Sequence, residues 1–304
     1  METRLAKLTP LLTSDYNGDY TSYYENTHRD TYLALERQLG ALRQSNDWDA
    51  KDQAYIANLT MIAAILFLMG VSVTMSNWLK YVFVGGGLIL TVASFIWTGR
   101  TYLEPVHVTP PEAMEHFVSG EILSNIAYTA EGTQQEALAQ KSITEFDAAL
   151  QLDDQYASAY QWKGMTQLQT RLFGADPARN AEAAANMEKA IALGTENSVV
   201  YTNLGWAYTL SGDYDPAAAA LNSALELEPT ECLARLNLGL ALLAAGNGGA
   251  STTAYDEAIA CAVEESPDQQ DSLLAAATQD LTDLQLVAPQ TPGVAATLEL
   301  IKET

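Results

Sequence analysis

Apolar residues fall into three regimes along this chain, and each predicts its own arrangement of helices. Residues 54 to 99 hold a single charged side chain, Lys80. The run divides at Ser76-Asn77 into two apolar stretches, Tyr55 to Met75 and Trp78 to Trp97, each about the twenty residues a helix needs to cross a bilayer. Trp48, Tyr55, Trp97 and Tyr102 stand toward one end of the pair, and Trp78 and Tyr81 toward the other, where the amphipathic rings of interfacial belts belong. A hairpin folded about Asn77 sets Gly70 opposite Gly85, Gly86 and Gly87, so that the backbones approach closely and gain dispersion contacts. Residues 54–99 are therefore expected to be a transmembrane helical hairpin in contact with lipid.

On its N-terminal side the pattern is sparser. Leu5, Leu8, Leu11 and Leu12 form a short apolar set before a turn at Asn17-Gly18. From Ser22 the spacing becomes helical, with Tyr32, Leu35, Leu39 and Leu42 three, four and three apart. Two heptads fall short of the three or four that mark a coiled coil, so this stripe is expected to pack on its own chain rather than drive oligomerisation. Residues 1–53 thus read as an arm and an amphipathic helix. Beyond the hairpin, residues 100–111 carry three prolines and read as an extended linker. Thr109 then suits an N-cap, with Pro110 at the first helical position and Glu112 completing a capping box.

The third regime, residues 112–304, repeats apolar positions at three and four between turns. Its clearest stretch is Ser198 to Glu231, where Tyr201, Leu204, Gly205 and Tyr208 precede a Gly212-Asp213-Tyr214 turn and then Ala217, Leu221, Ala224 and Pro229. This spacing predicts a helical hairpin, with a glycine closing the first helix and a proline stopping the second. The order of residues resembles the tetratricopeptide repeat, whose helix pairs stack into a solenoid. One such pair cannot bury its own apolar face, so neighbours are required. A step of 34 forward places Leu238-Gly239, Gly246, Tyr255 and Ala258 in register, with Arg235, Ser251 and Val263 as departures. Backward, Tyr160, Gly164, Met187, Ala190 and Leu193 form a unit seven residues too long, the excess falling at Arg171 to Ala178. Phe146, Ala149 and Leu152, with Ile126 and Ala130 as degenerate first-helix markers, suggest a further unit, so the resemblance covers about residues 123 to 265. Helical patterns at Leu273 to Leu286 and Val294 to Ile301 suit a C-terminal cap. The fold class expected is all-α: a transmembrane hairpin followed by a solenoid with capping helices.

The resemblance also implies a use. In tetratricopeptide arrays the first helices line a concave groove that holds a segment of a partner protein. Carried onto this chain, the groove positions are Gln161, Met165 and Leu168, then Val199, Thr202, Trp206 and Thr209, then Leu233, Leu236, Leu240 and Leu243. The lining is largely apolar, and Asn203 alone matches the Lys, Arg and Asn set of relatives that clamp a C-terminal carboxylate. Two occupants stay open, a partner's apolar helix or peptide and this protein's own C-terminal helices or neighbouring subunits.

Charge narrows the partner classes. Residues 101–304 hold 29 acids and 7 bases, against 9 and 6 in residues 1–53. A surface so acidic repels phosphate backbones, which argues against nucleic acid and permits a basic protein partner, although a solvated face explains the acids as well. Pro10 and the polar run from Thr13 interrupt any signal-peptide core after Arg4 and Lys7. Arg37, Arg43, Lys51 and Arg100 flank the spans while their turn holds only Lys80, so basic-residue counting puts both termini in the cytoplasm. Cys232 and Cys261, the only cysteines, come to the same end of one hairpin, where a disulfide is conceivable; a cytoplasmic location predicts reduced thiols instead. Asn58-Leu59-Thr60 matches a glycosylation sequon at the start of a span, where chance explains it. His107 and His116 with Glu112 and Glu115 show no metal-specific spacing, and no cofactor or catalytic motif is present. The readings that follow are a membrane-anchored scaffold binding a partner segment, a structural subunit assembling as a homo-oligomer or filament, and an accessory subunit of a larger membrane complex.

Overall fold

The computed structural model describes residues 20–75, 77–169 and 176–302. Every described element is an α-helix. The described residues divide into two compact units, residues 31–110 and the remainder. The arm expected before Tyr20, and most of the long turn expected at Arg171 to Ala178, lie outside the described residues.

The first unit is built on α1 (Tyr20–Thr74), from Thr31 onward, and α2 (Leu79–Leu103). Helix α1 runs unbroken through the boundary expected at residue 53, and α2 continues to Leu103, which shortens the linker. Among the described residues, these two helices are long and apolar enough to cross a membrane. Leu66, Phe67, Ile89, Phe95 and Ile96 point outward and exposed. The buried seam instead runs along Asn58, Ile65 and Ser72 on α1 and Gly87, Ser94 and Thr101 on α2. Both sets recur every seven residues, the period at which two helices keep one face together by a slight left-handed supercoil. This register decides which glycines work. A Cβ on Gly87 would lie 3.3 Å from Met69 Cγ, whereas one on Gly70, Gly85 or Gly86 would meet nothing within 4 Å. Gly87 is thus the close-approach residue of the expected four, and Gly70 is turned outward, two residues before the seam position Ser72.

A closed set of polar contacts crosses that seam. Ser94 Oγ donates to Asn58 Oδ1 at 2.6 Å, Asn58 Nδ2 donates to Thr98 Oγ1, and Thr98 Oγ1 donates to the Ser94 carbonyl at 2.9 Å. An asparagine buried in an apolar hairpin is costly unless its amide is satisfied, and here both ends are. The sequon residue is therefore an interhelical clasp. Lys51 Nζ donates to the Glu104 carbonyl and stands 5.5 Å from the Trp48 ring, joining the middle of α1 to the end of α2 away from the turn.

The second unit holds, among the described residues, four antiparallel helix pairs: α3 (Pro111–Thr129) with α4 (Gly132–Leu152), α5 (Ala157–Gln167) with α6 (Pro177–Ala192), α7 (Ser198–Ser211) with α8 (Tyr214–Leu227), and α9 (Cys232–Ala244) with α10 (Gly248–Val263). Helices α11 (Pro267–Val287) and α12 (Val294–Lys302) follow. One three-residue contact recurs in all four pairs. A glycine on the first helix faces a large residue on the second, and a small residue stands four places before the large one. The sets are Gly120 with Ser142 and Phe146, Gly164 with Ala183 and Met187, Gly205 with Ala217 and Leu221, and Gly239 with Ser251 and Tyr255. Three residues beyond each large side chain sits a fully buried alanine: Ala149, Ala190, Ala224 and Ala258.

This build is the tetratricopeptide-type solenoid that the resemblance implies; its first helix starts at Pro111, so the paired helices reach back before residue 123, where the resemblance begins. Ser251, a departure from the pattern, is accounted for by its hydroxyl, which donates to the Gly239 carbonyl at 2.8 Å; Ser142 does the same to Gly120 at 2.8 Å. Gly212 and Gly246 close α7 and α9 at φ 83° and 80°, a left-handed conformation that a Cβ resists. Asn197 caps α7 by accepting from the Val200 N–H at 2.9 Å.

Within and between pairs, polar links run from helix to helix. Ser124 and Thr166 hydroxyls meet at 2.8 Å, and Asn186 Nδ2 donates to Gln167 Oε1 at 2.9 Å. Tyr208 donates to the Glu188 carboxylate; burial, and then that bond and charge, push the phenol up to about 12. Lys163 Nζ lies 2.9 Å from Asp147 and 3.0 Å from Glu182, tying α5 to both α4 and α6. Burial pulls the Lys163 pKa down, but the hydrogen bonds and charges of the two carboxylates outweigh it and hold it above the usual lysine value. The hydrogen bond from Lys163 in turn holds Glu182 below the usual carboxylate value.

The sign of the pH effect follows. Glu182 contributes stability above the ordinary carboxylate pKa and loses it as pH falls through its lowered value; Lys163 contributes below the ordinary lysine pKa and loses it as pH rises through its raised value. Both carboxylates are half-exposed, so Lys163→Met is expected to cost at most about 1 kcal/mol at neutral pH. Urea midpoints of variant and wild type should converge as pH falls through the lowered Glu182 value.

Candidate functional site

A first helix can offer side chains to a partner only where the next first helix does not already cover them. In α7, Thr202, Trp206 and Thr209 are buried, while Val199 is exposed and Asn203 half-exposed. Trp206 is 7% exposed and belongs to the same apolar cluster as Leu168, Leu204, Leu210, Leu236 and Leu240. In α9, Leu236, Leu240 and Leu243 are buried and Leu233 is exposed. In α5, Gln161 and Met165 are half-buried, and Leu168 at its C-terminus is buried.

The expected lining therefore separates into two rows. Leu168, Trp206, Leu236 and Leu240 share one apolar cluster among the first helices, and Thr202 is buried. Gln161, Met165, Val199, Asn203 and Leu233 keep accessible surface. The Thr202 hydroxyl donates to Glu231 Oε1 at 2.9 Å, fixing a carboxylate at the start of α9 beside the accessible row. The sequence singles out no such acid, because Glu231 lies in a turn outside the first-helix positions.

At the C-terminal end the chain supplies its own cover. Ala277, Leu281 and Leu284 of α11 and Val294 and Ile301 of α12 share the apolar cluster with Leu236, Leu240 and Leu243. A small cleft between α9, α10 and α11 is lined by Leu233, Leu236, Asn237, Leu240, Tyr255 and Asp280. Burial, and then the charge of Asp280, push the Tyr255 phenol up, so it stays neutral. Of the two occupants open at the sequence level, the C-terminal helices take the Leu236 to Leu243 row.

Two further expectations resolve elsewhere in this unit. His116 Nδ1 pairs with Glu145 Oε2 at 2.8 Å, across α3 and α4. Cys232 and Cys261 are joined as a disulfide, with Cα atoms 5.5 Å apart, rather than standing as reduced thiols. The first residue of α9 and the last turn of α10 are brought side by side because the two helices are antiparallel and nearly equal in length.

No family model matches the chain, and no curated protein matches it. Among solved structures, the chain is similar to MamA at 21% identity, with 58% of this chain and 93% of that one covered and a TM-score of 0.42. It is similar to YrrB, described as a TPR protein with an unusual peptide-binding site, at 20% identity, 63% and 92% coverage and a TM-score of 0.39. It is also similar to a thermophilic TPR protein of Thermus thermophilus, at 15% identity, 71% and 99% coverage and a TM-score of 0.41.

Proposed function

We propose that this protein is a membrane-anchored scaffold whose solenoid binds a segment of a partner protein. The observation that carries the reading is the coexistence, in one chain, of two apolar helices that turn Leu66, Phe67, Ile89, Phe95 and Ile96 outward and four helix pairs that leave a row of accessible first-helix side chains. Outward apolar side chains on a 25-residue helix are stable in lipid and costly in water, at about 25 cal/mol for each Å². The contact row is Gln161, Met165, Val199, Asn203 and Leu233, and Glu231 beside it favours a partner segment with both apolar and basic residues. Binding and positioning, not catalysis, is the role this arrangement serves.

The test separates contact from stability. Val199→Asp with Leu233→Asp places two charges on exposed positions, so the melting temperature should hold within a few degrees. Crosslinking in native membranes followed by mass spectrometry should then recover the wild-type partners about tenfold less well, the equivalent of about 1.4 kcal/mol. An unchanged partner set at unchanged stability rules the row out.

A second reading, a subunit that assembles with its own copies, rests on the open space around Gly70, Gly85 and Gly86 and on the exposure of Leu35, Leu39 and Leu42. Mass measurement in mild detergent distinguishes it. A monomer at micromolar concentration excludes assembly.

A further inference from the structure

We propose that the solenoid faces an oxidising compartment, on the opposite side of the membrane from the cytoplasm. This inference rests on the membrane reading above and reverses the orientation that basic-residue counting suggests. Its basis is the Cys232–Cys261 disulfide, which consumes both cysteines of the chain.

The bond is placed where a reductant can reach it. Cys232 is buried at the first residue of α9, but Cys261 keeps accessible surface in the last turn of α10, and the pair closes the open end of a hairpin at the protein surface. In the cytoplasm, glutathione and thioredoxin keep such accessible pairs reduced, whereas outside it disulfides form and persist. Packing does not require the bond either. Helices α9 and α10 are already held by Gly239 against Tyr255 and by the Ser251 hydroxyl on the Gly239 carbonyl. A covalent link added to a hairpin that closes without it is a feature of chains that fold where oxidation is available.

Against it stands a flank bias of four bases, Arg37, Arg43, Lys51 and Arg100, over the single Lys80 of the turn. The two signals differ in kind. Basic residues bias insertion statistically, and added charges downstream can flip the outcome. A reducing pool acts on every molecule throughout its life. The disulfide therefore decides, and both ends of the hairpin go to the same side as the solenoid.

The experiment uses the full chain in the membranes of the cells that make it. Thiols are alkylated with N-ethylmaleimide at lysis, membranes are washed with alkaline carbonate, and peptides holding Cys232 and Cys261 are read by mass spectrometry before and after reduction. In parallel, a protease is added to the non-cytoplasmic face of the intact, sealed membrane. The expected result is a linked peptide pair with no maleimide, two maleimides after reduction, and loss of the solenoid to external protease. Alkylation of both cysteines without reduction overturns the proposal. So does a solenoid that resists protease until the membrane is opened, even with the disulfide present. Release of the protein by carbonate overturns the membrane reading itself and this inference with it, while retention with either of the other two failures overturns the sidedness alone.

Discussion

Replacing Gly205 by alanine is expected to destabilise the solenoid by about 1–3 kcal/mol, the range for forcing extra volume into a packed core. A Cβ there would fall 2.4 Å from Leu221 Cγ and 3.1 Å from the Ala217 carbonyl oxygen. Cγ is the branch point of the leucine rather than its flexible end, and the carbonyl belongs to the α8 backbone, so neither can step aside without parting α7 from α8. This loss overrides the gain of about 1 kcal/mol that alanine brings over glycine in a helix interior. In a unit of this size each kcal/mol lowers the melting temperature by about 2–4 °C. Thermal denaturation followed by circular dichroism measures it. Gly249→Ala is the control, because its Cβ would meet nothing within 4 Å, and it should melt no lower than wild type. The double variant Gly205→Ala with Leu221→Ala should lose less than the sum of its single variants, since the methyl then occupies space the leucine leaves. Additive losses, or a Gly205→Ala protein as stable as wild type, contradict the close approach.

That contact also shows how far the amino-acid sequence carries. Gly205 and Leu221 are 16 residues apart, as are Gly239 and Tyr255, and a step of 34 connects one pair to the next. The same step fails backward because both earlier pairs are longer, Gly164 and Met187 being 23 apart. Gly120 and Phe146 are 26 apart, in helices of 19 and 21 residues, so a step of 34 back from Gly164 lands on Ala130 and misses Gly120. Only the triad of glycine, small residue and large residue, read without a fixed period, exposes the first unit. In the hairpin, composition shows two apolar helices but not the faces they turn to each other. The clasp of Asn58 with Ser94 and Thr98 sets those faces through positions that look incidental in a linear reading, so that Gly87 meets Met69 while Gly70 is turned outward. The cysteines differ again. Their meeting at one hairpin end is legible from helix lengths, while their oxidation depends on the surroundings and was expected otherwise.

Trp206→Ala is expected to cost about 3–5 kcal/mol, the largest single-residue loss in the solenoid, because it removes a buried indole from the centre of the array. At the sequence level, Trp206 is a groove residue, the ninth position of a first helix. Structurally it is 7% exposed and grouped with Leu168, Leu236 and Leu240, from the first helices on either side. No single neighbour can fill the volume it leaves, since Leu168 and Leu236 belong to helices held in place by their own pairs. The array should respond as a repeat protein does, with the interfaces on both sides of α7 weakened together and the unit tending to split there. Hydrogen exchange should show protection falling in α5 to α9 while α3 and α4, held by Phe117, Phe146 and Tyr156, keep theirs. A small and uniform loss would mean that the indole is not a keystone of the core. The outcome bears on function as well. Loss of a partner by Trp206→Ala is uninformative, because an array split at α7 cannot present its contact row, whereas Val199→Asp with Leu233→Asp alters that row and leaves Trp206 in place. If the tryptophan variant unfolds locally and the aspartate pair binds as wild type does, the partner reads another face of the solenoid, and the first helices serve chiefly to hold one another.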